Sequence, residues 1–206
     1  MNIWNIFAPV YEFSMRSQKN IYDFLYARIA EVAKGKDVLE LATGPGMIAR
    51  HIAPAVKSVV ATDFAPKMIE TALKAKNPDN LSFEVADATS LRFADNSFDV
   101  VVIANALHII PNPEKALEEI RRVLKDGGLL IAPNFFFREG GKKNLWQKFL
   151  SLVGVRFAHE WTEKRIQGLL GIERLENQNG PRYRRPNRFG LCRVRLSASS
   201  NTGSFN

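Results

Sequence analysis

Apolar residues recur along this chain at two alternating spacings. In residues 17–33 they return every three or four positions, through Ile21, Phe24, Leu25, Ile29 and Val32. With Ser17 placed to cap the first turn, this predicts a helix that ends at Gly35. Residues 38–41 form a short apolar run of strand length, and Gly44-Pro45-Gly46 predicts a tight loop. A short helix follows over 47–52 and stops near Pro54. Residues 58–62, 81–85 and 98–103 are further strand-length runs, the last apolar enough to be buried on both faces. Between the first two, Pro66 stands at a first helical position ahead of a stripe of Met68, Ile69, Ala72 and Leu73. Residues 113–124 turn Ala116, Leu117, Ile120, Val123 and Leu124 inward and Glu118, Glu119, Arg121 and Arg122 to water. Asp126-Gly127-Gly128 is expected to end that helix, and 129–132 to supply a fifth strand.

Strands alternating with helices at this spacing call for an α/β fold: a Rossmann-like three-layer sandwich about a central, mostly parallel sheet with right-handed crossovers. Beyond it, residues 142–157 place Leu145, Phe149, Leu152 and Val153 on one helical face near Lys142, Lys143 and Lys148, and 162–170 read as another short helix. From Gly171 the periodicity decays. Residues 189–196 have the pattern of a strand, and 197–206 are small and polar, as disordered tails are. The expected organisation is one domain over 1–170, with an aromatic helical flap in 1–33, followed by an atypical basic segment, partly disordered, over 171–206.

Composition changes this picture little. A chain of 206 residues, 46% hydrophobic and 24% charged, suits one globular domain with a sizeable core. Most of the net charge of +8 comes from Arg174, Arg182, Arg184, Arg185, Arg188, Arg193 and Arg195, which leaves the body only mildly basic and gives no strong case for nucleic acid. Cys192 is the single cysteine, so an intrachain disulfide and a C-x-x-C metal site are both excluded, and a reducing, cytoplasmic setting is expected. The first residues lack the basic and apolar regions of a secretory signal, and no apolar run approaches the roughly 20 residues of a membrane span.

Candidate chemistry gathers at strand ends. Glu40, Asp63 and Asp87 each stand at or just past the end of an expected parallel strand, where ligands of open α/β sheets bind, and Gly44 and Gly46 let the loop beside them approach a ligand closely. The glycines alone leave two cofactor classes open, because Gly44 to Ala49 also fits the dinucleotide fingerprint G-x-G-x-x-G/A.

Taken in order, Ala8-Pro9-Val10-Tyr11-Glu12, the run from Val38 to Gly46, Ala61-Thr62-Asp63-Phe64-Ala65-Pro66-Lys67-Met68, Ala86-Asp87-Ala88, Asp95-Asn96-Ser97-Phe98-Asp99, Ala106-Leu107-His108-Ile109-Ile110 and Leu124-Lys125-Asp126-Gly127-Gly128 resemble the class I S-adenosylmethionine-dependent methyltransferases. Within that class the resemblance is to the type-11 group, which includes quinone-biosynthesis C-methyltransferases and phospholipid N-methyltransferases. It implies S-adenosylmethionine as cofactor and S-adenosylhomocysteine as product. It implies that Glu40 and the loop of Ala42, Gly44 and Gly46 surround the methionine part, and that Asp63 accepts from both ribose hydroxyls. Phe64 and Met68 would pack on adenine, Asp87 and the Ala88 N–H would reach the adenine edge, and Asn105 would offer backbone to the methionine end.

Two departures accompany the resemblance. Ala42 stands where that family most often has its first glycine, a tolerable exchange if φ there is negative. The Arg-rich and Ser-rich chain end does not look like the family's closing antiparallel strand pair. For an acceptor that needs a base, the candidates are His108, His159 and Tyr11. The expected function is transfer of a methyl group to a small apolar acceptor roofed by the N-terminal flap, Phe135-Phe136-Phe137 and 142–157, the last open to peripheral contact with a membrane. The alternatives are an RNA or other nucleic-acid methyltransferase, which would carry an Asn/Asp-Pro-Pro-Tyr/Phe motif where Asn105-Ala106-Leu107-His108 stands, and an NAD(P)-dependent dehydrogenase, for which no Tyr-x-x-x-Lys pair is present. A non-catalytic cofactor-binding module is the remaining alternative.

Overall fold

The computed structural model describes residues 4–5, 19–136, 176–179 and 188–195. Helix α1 (Lys19–Val32) leads into β1 (Asp37–Leu41), α2 (Met47–Ile52), a 3-10 turn (Ala53–Ala55) and β2 (Ser58–Asp63). Then come α3 (Pro66–Leu73), β3 (Leu81–Val85), β4 (Phe98–Ile103), α4 (Pro113–Val123), β5 (Leu124–Phe136), β6 (Glu176–Asn179) and β7 (Arg188–Arg195). The strands form one sheet of order β3-β2-β1-β4-β5-β7-β6. β1 to β5 are parallel, and β7 runs antiparallel to both β5 and β6.

Each central strand is buried on both faces, and its alternate residues build two separate cores. Val38, Val59, Ala61, Val100, Val102 and Ile131 meet Leu25 and Ile29 of α1 and Ile48 and Ile52 of α2. Leu39, Leu41, Val101, Ile103 and Leu130 meet Leu117, Ile120 and Val123 of α4 on the other side. The period of two thus produces the three layers that the spacing implied. Chain order reverses at β1, whose neighbours are β2 and β4, so the carboxyl ends of β1 and β4 diverge into helices on opposite faces. That is the switch point where α/β sheets bind ligands.

Several expectations change in detail. α4 stops at Val123 because Leu124 is already extended (φ −73, ψ 135), and β5 starts there. Its register against β4 then slips, Phe98 facing Leu124 while Val100 faces Leu129, so Lys125 to Gly128 is a bulge within the strand and does not precede it. Glu176–Asn179, which had no readable periodicity, is the outer strand β6, and Arg188–Arg195 is the strand read at 189–196. This antiparallel pair is the closing feature that the basic, Ser-rich composition did not suggest. The helices read at 142–157 and 162–170, the tail, Ser17, Tyr11 and His159 lie outside the described residues.

Glu119 and Arg122 do not simply face water. Arg122 spends all five guanidinium N–H donors: two on Glu119, at 2.9 Å each, and the others on Leu91 O, Phe93 O and Asp95 Oδ1 at 2.9, 2.7 and 2.7 Å. Glu119 in turn accepts the Leu91 N–H at 2.7 Å. The pair fastens the β3–β4 connection to α4, and Asn96 and Ser97 finish the seam by donating to Arg122 O and Val123 O. Arg122→Ala should therefore lower unfolding stability by about 1–3 kcal/mol, and Arg122→Lys should recover little of it because an ammonium cannot reproduce the planar fork. Urea unfolding followed by circular dichroism measures both; wild-type midpoints in both variants would show that the clamp is energetically idle.

Candidate functional site

Glu40 is the penultimate residue of β1 and Asp63 the last of β2, and the register aligns Glu40 with Ala61 and Leu41 with Thr62. The two acids therefore flank the same carboxyl edge. The loop between β1 and α2 hangs from β2: the Thr43 N–H donates to Thr62 O at 2.9 Å and the Gly44 N–H to Asp63 Oδ2 at 2.8 Å. Asp63 Oδ1 accepts the Ala65 N–H at 2.8 Å, so one carboxylate ties the loop to the entry of α3. Each bound oxygen keeps a further lone pair for a ligand. Asp63 is 9% exposed, and burial raises its pKa against the opposing pull of the Ala65 and Gly44 N–H bonds.

The loop bends through left-handed backbone at three positions: Ala42 (φ 52), Gly44 (φ 59) and Gly46 (φ 79). At Gly46 a Cβ would lie 2.6 Å from the Phe83 ring, so both the dihedral and the space demand glycine. Ala42 does not meet the condition of a negative φ under which its exchange for glycine would be free. Its methyl sits in the conformation that glycine adopts freely, at a cost of roughly 1–2 kcal/mol.

Glu40 is 1% exposed, and its side chain points to the α1–α2 face. Burial pushes its pKa up to about 8; the Thr43 hydroxyl and the Ala49 amide oppose the rise, Asp63 adds to it and Arg50 of α2 opposes it. Glu40 Oε2 and Thr43 Oγ1 are nonetheless buried without a geometrically good hydrogen-bond partner. A buried acid with an orphan oxygen beside a close-approach loop suits a ligand bearing positive charge. These residues fit a methionine-derived sulfonium or ammonium better than a dinucleotide pyrophosphate, whose negative charge would face two acids.

Elsewhere along the edge, Phe64 follows Asp63 and is 63% exposed, an unusual position for a large apolar ring. Met68 lies buried against Ala65, with Trp4 packed on both, and Asn5 Oδ1 accepts the Lys67 N–H at 3.2 Å. Asp87 follows β3; its Oδ1 accepts from the Thr89 N–H and hydroxyl, both at 2.8 Å, which fixes the turn that carries it. Ala88 packs on the α4-side core. Asn105 follows β4 at φ 50 with its N–H on Pro133 O at 2.9 Å. The edge thus brings together Glu40, the loop, Asp63 and Asn105, with Phe64, Met68, Asp87 and Ala88 on the next connections. His108 is part-buried beyond β4, and burial lowers its pKa to about 4, so its ring is neutral near pH 7.

Sequence reasoning included Thr43 only as part of the 42–46 loop and missed Arg50 and Tyr22. The only signal for Tyr22 was a polar-tipped ring on the apolar face of α1, where it is buried and its hydroxyl bonds the Asn105 side chain.

A glycine loop at the switch point of this sheet, bracketed by strand-end acids and with an antiparallel β7 beside β5, is the arrangement that the resemblance to class I S-adenosylmethionine-dependent methyltransferases implies. Residues 39–132 match the methyltransferase domain model of the type-11 group. A demethylmenaquinone methyltransferase from Paenarthrobacter aurescens is 44% identical over 105 residues, covering 51% of this chain and 41% of the relative. A ubiquinone/menaquinone biosynthesis C-methyltransferase from Geotalea uraniireducens is 32% identical over 144 residues, covering 65% of this chain and 61% of the relative. The chain spans about half the length of the relatives it matches. Among solved structures, a candidate S-adenosyl-L-methionine-dependent methyltransferase from Methanococcus maripaludis superposes with a TM-score of 0.69 at 22% identity, covering 93% of this chain and 92% of that one, which supports the fold.

The buried acid sets a pH dependence. Glu40 binds its proton more tightly folded than unfolded, so the stability it contributes is complete below its ordinary pKa of 4.5 and is lost as pH rises to about 8. Glu40→Gln, which cannot ionise, should gain on wild type over that window by on the order of 5 kcal/mol. Urea unfolding at several pH values reads the difference, and parallel curves from pH 4 to 9 would overturn the assignment.

Proposed function

We propose that this protein methylates a small, largely apolar acceptor with S-adenosylmethionine, and that quinone precursors are the acceptors to try first. The observation that carries the reading is the pairing of Glu40 and Asp63 across one close-approach loop. When bound, S-adenosylmethionine supplies a methyl group already activated on a sulfonium. The work of this chain is then to hold and align. Asp63, fixed by the Gly44 and Ala65 N–H bonds, presents its remaining lone pairs to a vicinal diol. The loop brings backbone against the ligand, and Glu40, which burial keeps protonated near pH 7 in the free protein, gives up its proton as a cation settles beside it. Exposed Phe64 offers a flat apolar face to a purine, with buried Met68 supporting the same connection. Alignment alone is worth up to about 7–11 kcal/mol of a barrier in well-oriented cases.

The acceptor class follows from the names of the relatives and from the aromatic and apolar segments flanking the edge in the sequence. His108 is the candidate base at the edge, and Tyr11 of the flap is the second. A single cysteine and a domain of this family accord with work in the cytoplasm. Among the described residues no helix is long and apolar enough to cross a membrane.

Calorimetry with S-adenosylhomocysteine tests the cofactor assignment. Asp63→Asn, with one acceptor oxygen where the carboxylate has two, should weaken binding about 10- to 100-fold, and equal affinity would sink the ribose role. Methyl transfer from labelled S-adenosylmethionine to demethylated menaquinone in detergent micelles tests the acceptor. We further propose that 142–157, with Leu145, Phe149, Leu152 and Val153 beside Lys142, Lys143 and Lys148, meets an anionic bilayer. Co-sedimentation with phosphatidylglycerol vesicles at low salt should carry the protein down, with release at high salt; protein left in the supernatant at low salt would end this idea.

A further inference from the structure

Helix α1 reaches the site through one hydroxyl. Tyr22 and Tyr26 lie four residues apart on its buried face, their ring centroids 5.8 Å apart, yet their polar ends are treated differently. Tyr26 stacks on His51 with centroids 3.9 Å apart, and its hydroxyl is buried without a hydrogen-bond partner. Tyr22 instead sends its hydroxyl to the Asn105 side chain, close enough to Glu40 for that acid to act on its ionisation. Burial, first, and Glu40 raise the Tyr22 pKa while the Asn105 bond opposes them, so the hydroxyl stays neutral at the site.

Asn105 needs such a partner. It holds φ 50 at the carboxyl end of β4, beside the β1 strand that carries Glu40, and its N–H is committed to Pro133 O at 2.9 Å. A side chain-bearing residue keeps a left-handed conformation when its surroundings over-determine it, and asparagine does so more readily than most. The Pro133 bond holds the backbone from the β5 side; the Tyr22 bond holds the side chain from α1.

We propose that Tyr22 is a positioning residue for the methyl-donor site, acting through Asn105 to hold the β4 end of the site against Glu40 and the glycine loop. This rests on the reading of the edge as an S-adenosylmethionine site. It joins a helix that contributes no expected cofactor contact to the geometry of the pocket wall opposite Asp63.

The experiment is a double-mutant cycle of Tyr22→Phe and Asn105→Gly. Phenylalanine keeps the ring's packing and removes only the hydroxyl, and glycine tolerates φ 50 without a side chain to hold. For Tyr22→Phe, affinity for S-adenosylhomocysteine should fall about 5- to 30-fold while the melting temperature stays within about 3 °C of wild type. In the Asn105→Gly background the same change should cost less than about twofold. A merely structural tyrosine would do the reverse, lowering the melting temperature and leaving the affinity of folded protein intact, and that result overturns the proposal. So does a Tyr22→Phe penalty that persists in the Asn105→Gly background. Hydrogen exchange at the Asn105 amide reads the same lock without ligand. Faster exchange in Tyr22→Phe supports it and an unchanged rate overturns it. Wild-type protein that fails to bind S-adenosylhomocysteine would bring down the cofactor reading itself, a different failure from a variant that binds as well as wild type.

Discussion

The Asp63 carboxylate is the constraint on which the site depends. It is nearly buried, and its two oxygens accept backbone N–H groups from opposite directions, Gly44 of the loop and Ala65 ahead of α3. Neither segment is a regular element, and beyond a few backbone bonds such as Thr43 N–H to Thr62 O it is this carboxylate that ties the two together. One side chain sets the distance between them, and with it the width of the crevice over the β1–β2 edge. The sheet supplies the rigidity behind this: β1 and β2 pair over five consecutive rungs from Asp37 with Ser58 to Leu41 with Thr62. A charge placed on the last residue of such a strand has little freedom to move.

The rest of the fold serves to keep that edge dry underneath and accessible above. Two cores of branched aliphatic side chains bury both faces of β1 and β4, and the polar groups left at the top are few and specific. At the opposite end of the strands Asp37 is held by Lys57 and Ser58 and donates its N–H to Asp99, so the amino edge closes on itself with ionic contacts. Glu40 is the exception that marks function. A carboxyl group buried on a core-facing position, with one oxygen unpartnered, weakens the folded state unless a ligand compensates it.

Much of this was legible in the order of residues because the signals are local. Pro66 at the first turn of α3, the apolar stripe of α4, the β-branched runs of β2 and β4 and the spacing of Gly44 and Gly46 each determine their own segment, and the structure follows them within a residue or two. What was not legible depends on partners distant in the chain. Arg122 looks like a solvated charge until the carbonyls of Leu91 and Phe93 arrive beside it. The φ of Ala42 is dictated by where the loop must land on Thr62 and Asp63, not by alanine's own preference. Strand β6 is polar, Glu-Asn-Gln-Asn, and stands last in the sheet order, paired to β7 alone among the described strands, so it carries no buried-strand pattern to read. Tyr22 was hidden because a tyrosine on an apolar helix face reads as packing, and only its hydroxyl's target says otherwise.

The antiparallel insertion of β7 beside β5 also bears on how the chain reaches this state. Strands β1 to β5 and their helices complete a connected half-sheet early in synthesis, but the outer edge of β5 waits for Arg188–Arg195, far down the chain, before its backbone is paired from Leu129 to Phe136. Until then the nascent protein presents a long, apolar, unpaired ladder, the kind of surface that recruits neighbouring chains. Arg188, Arg193 and Arg195 place positive charge on that late-arriving strand.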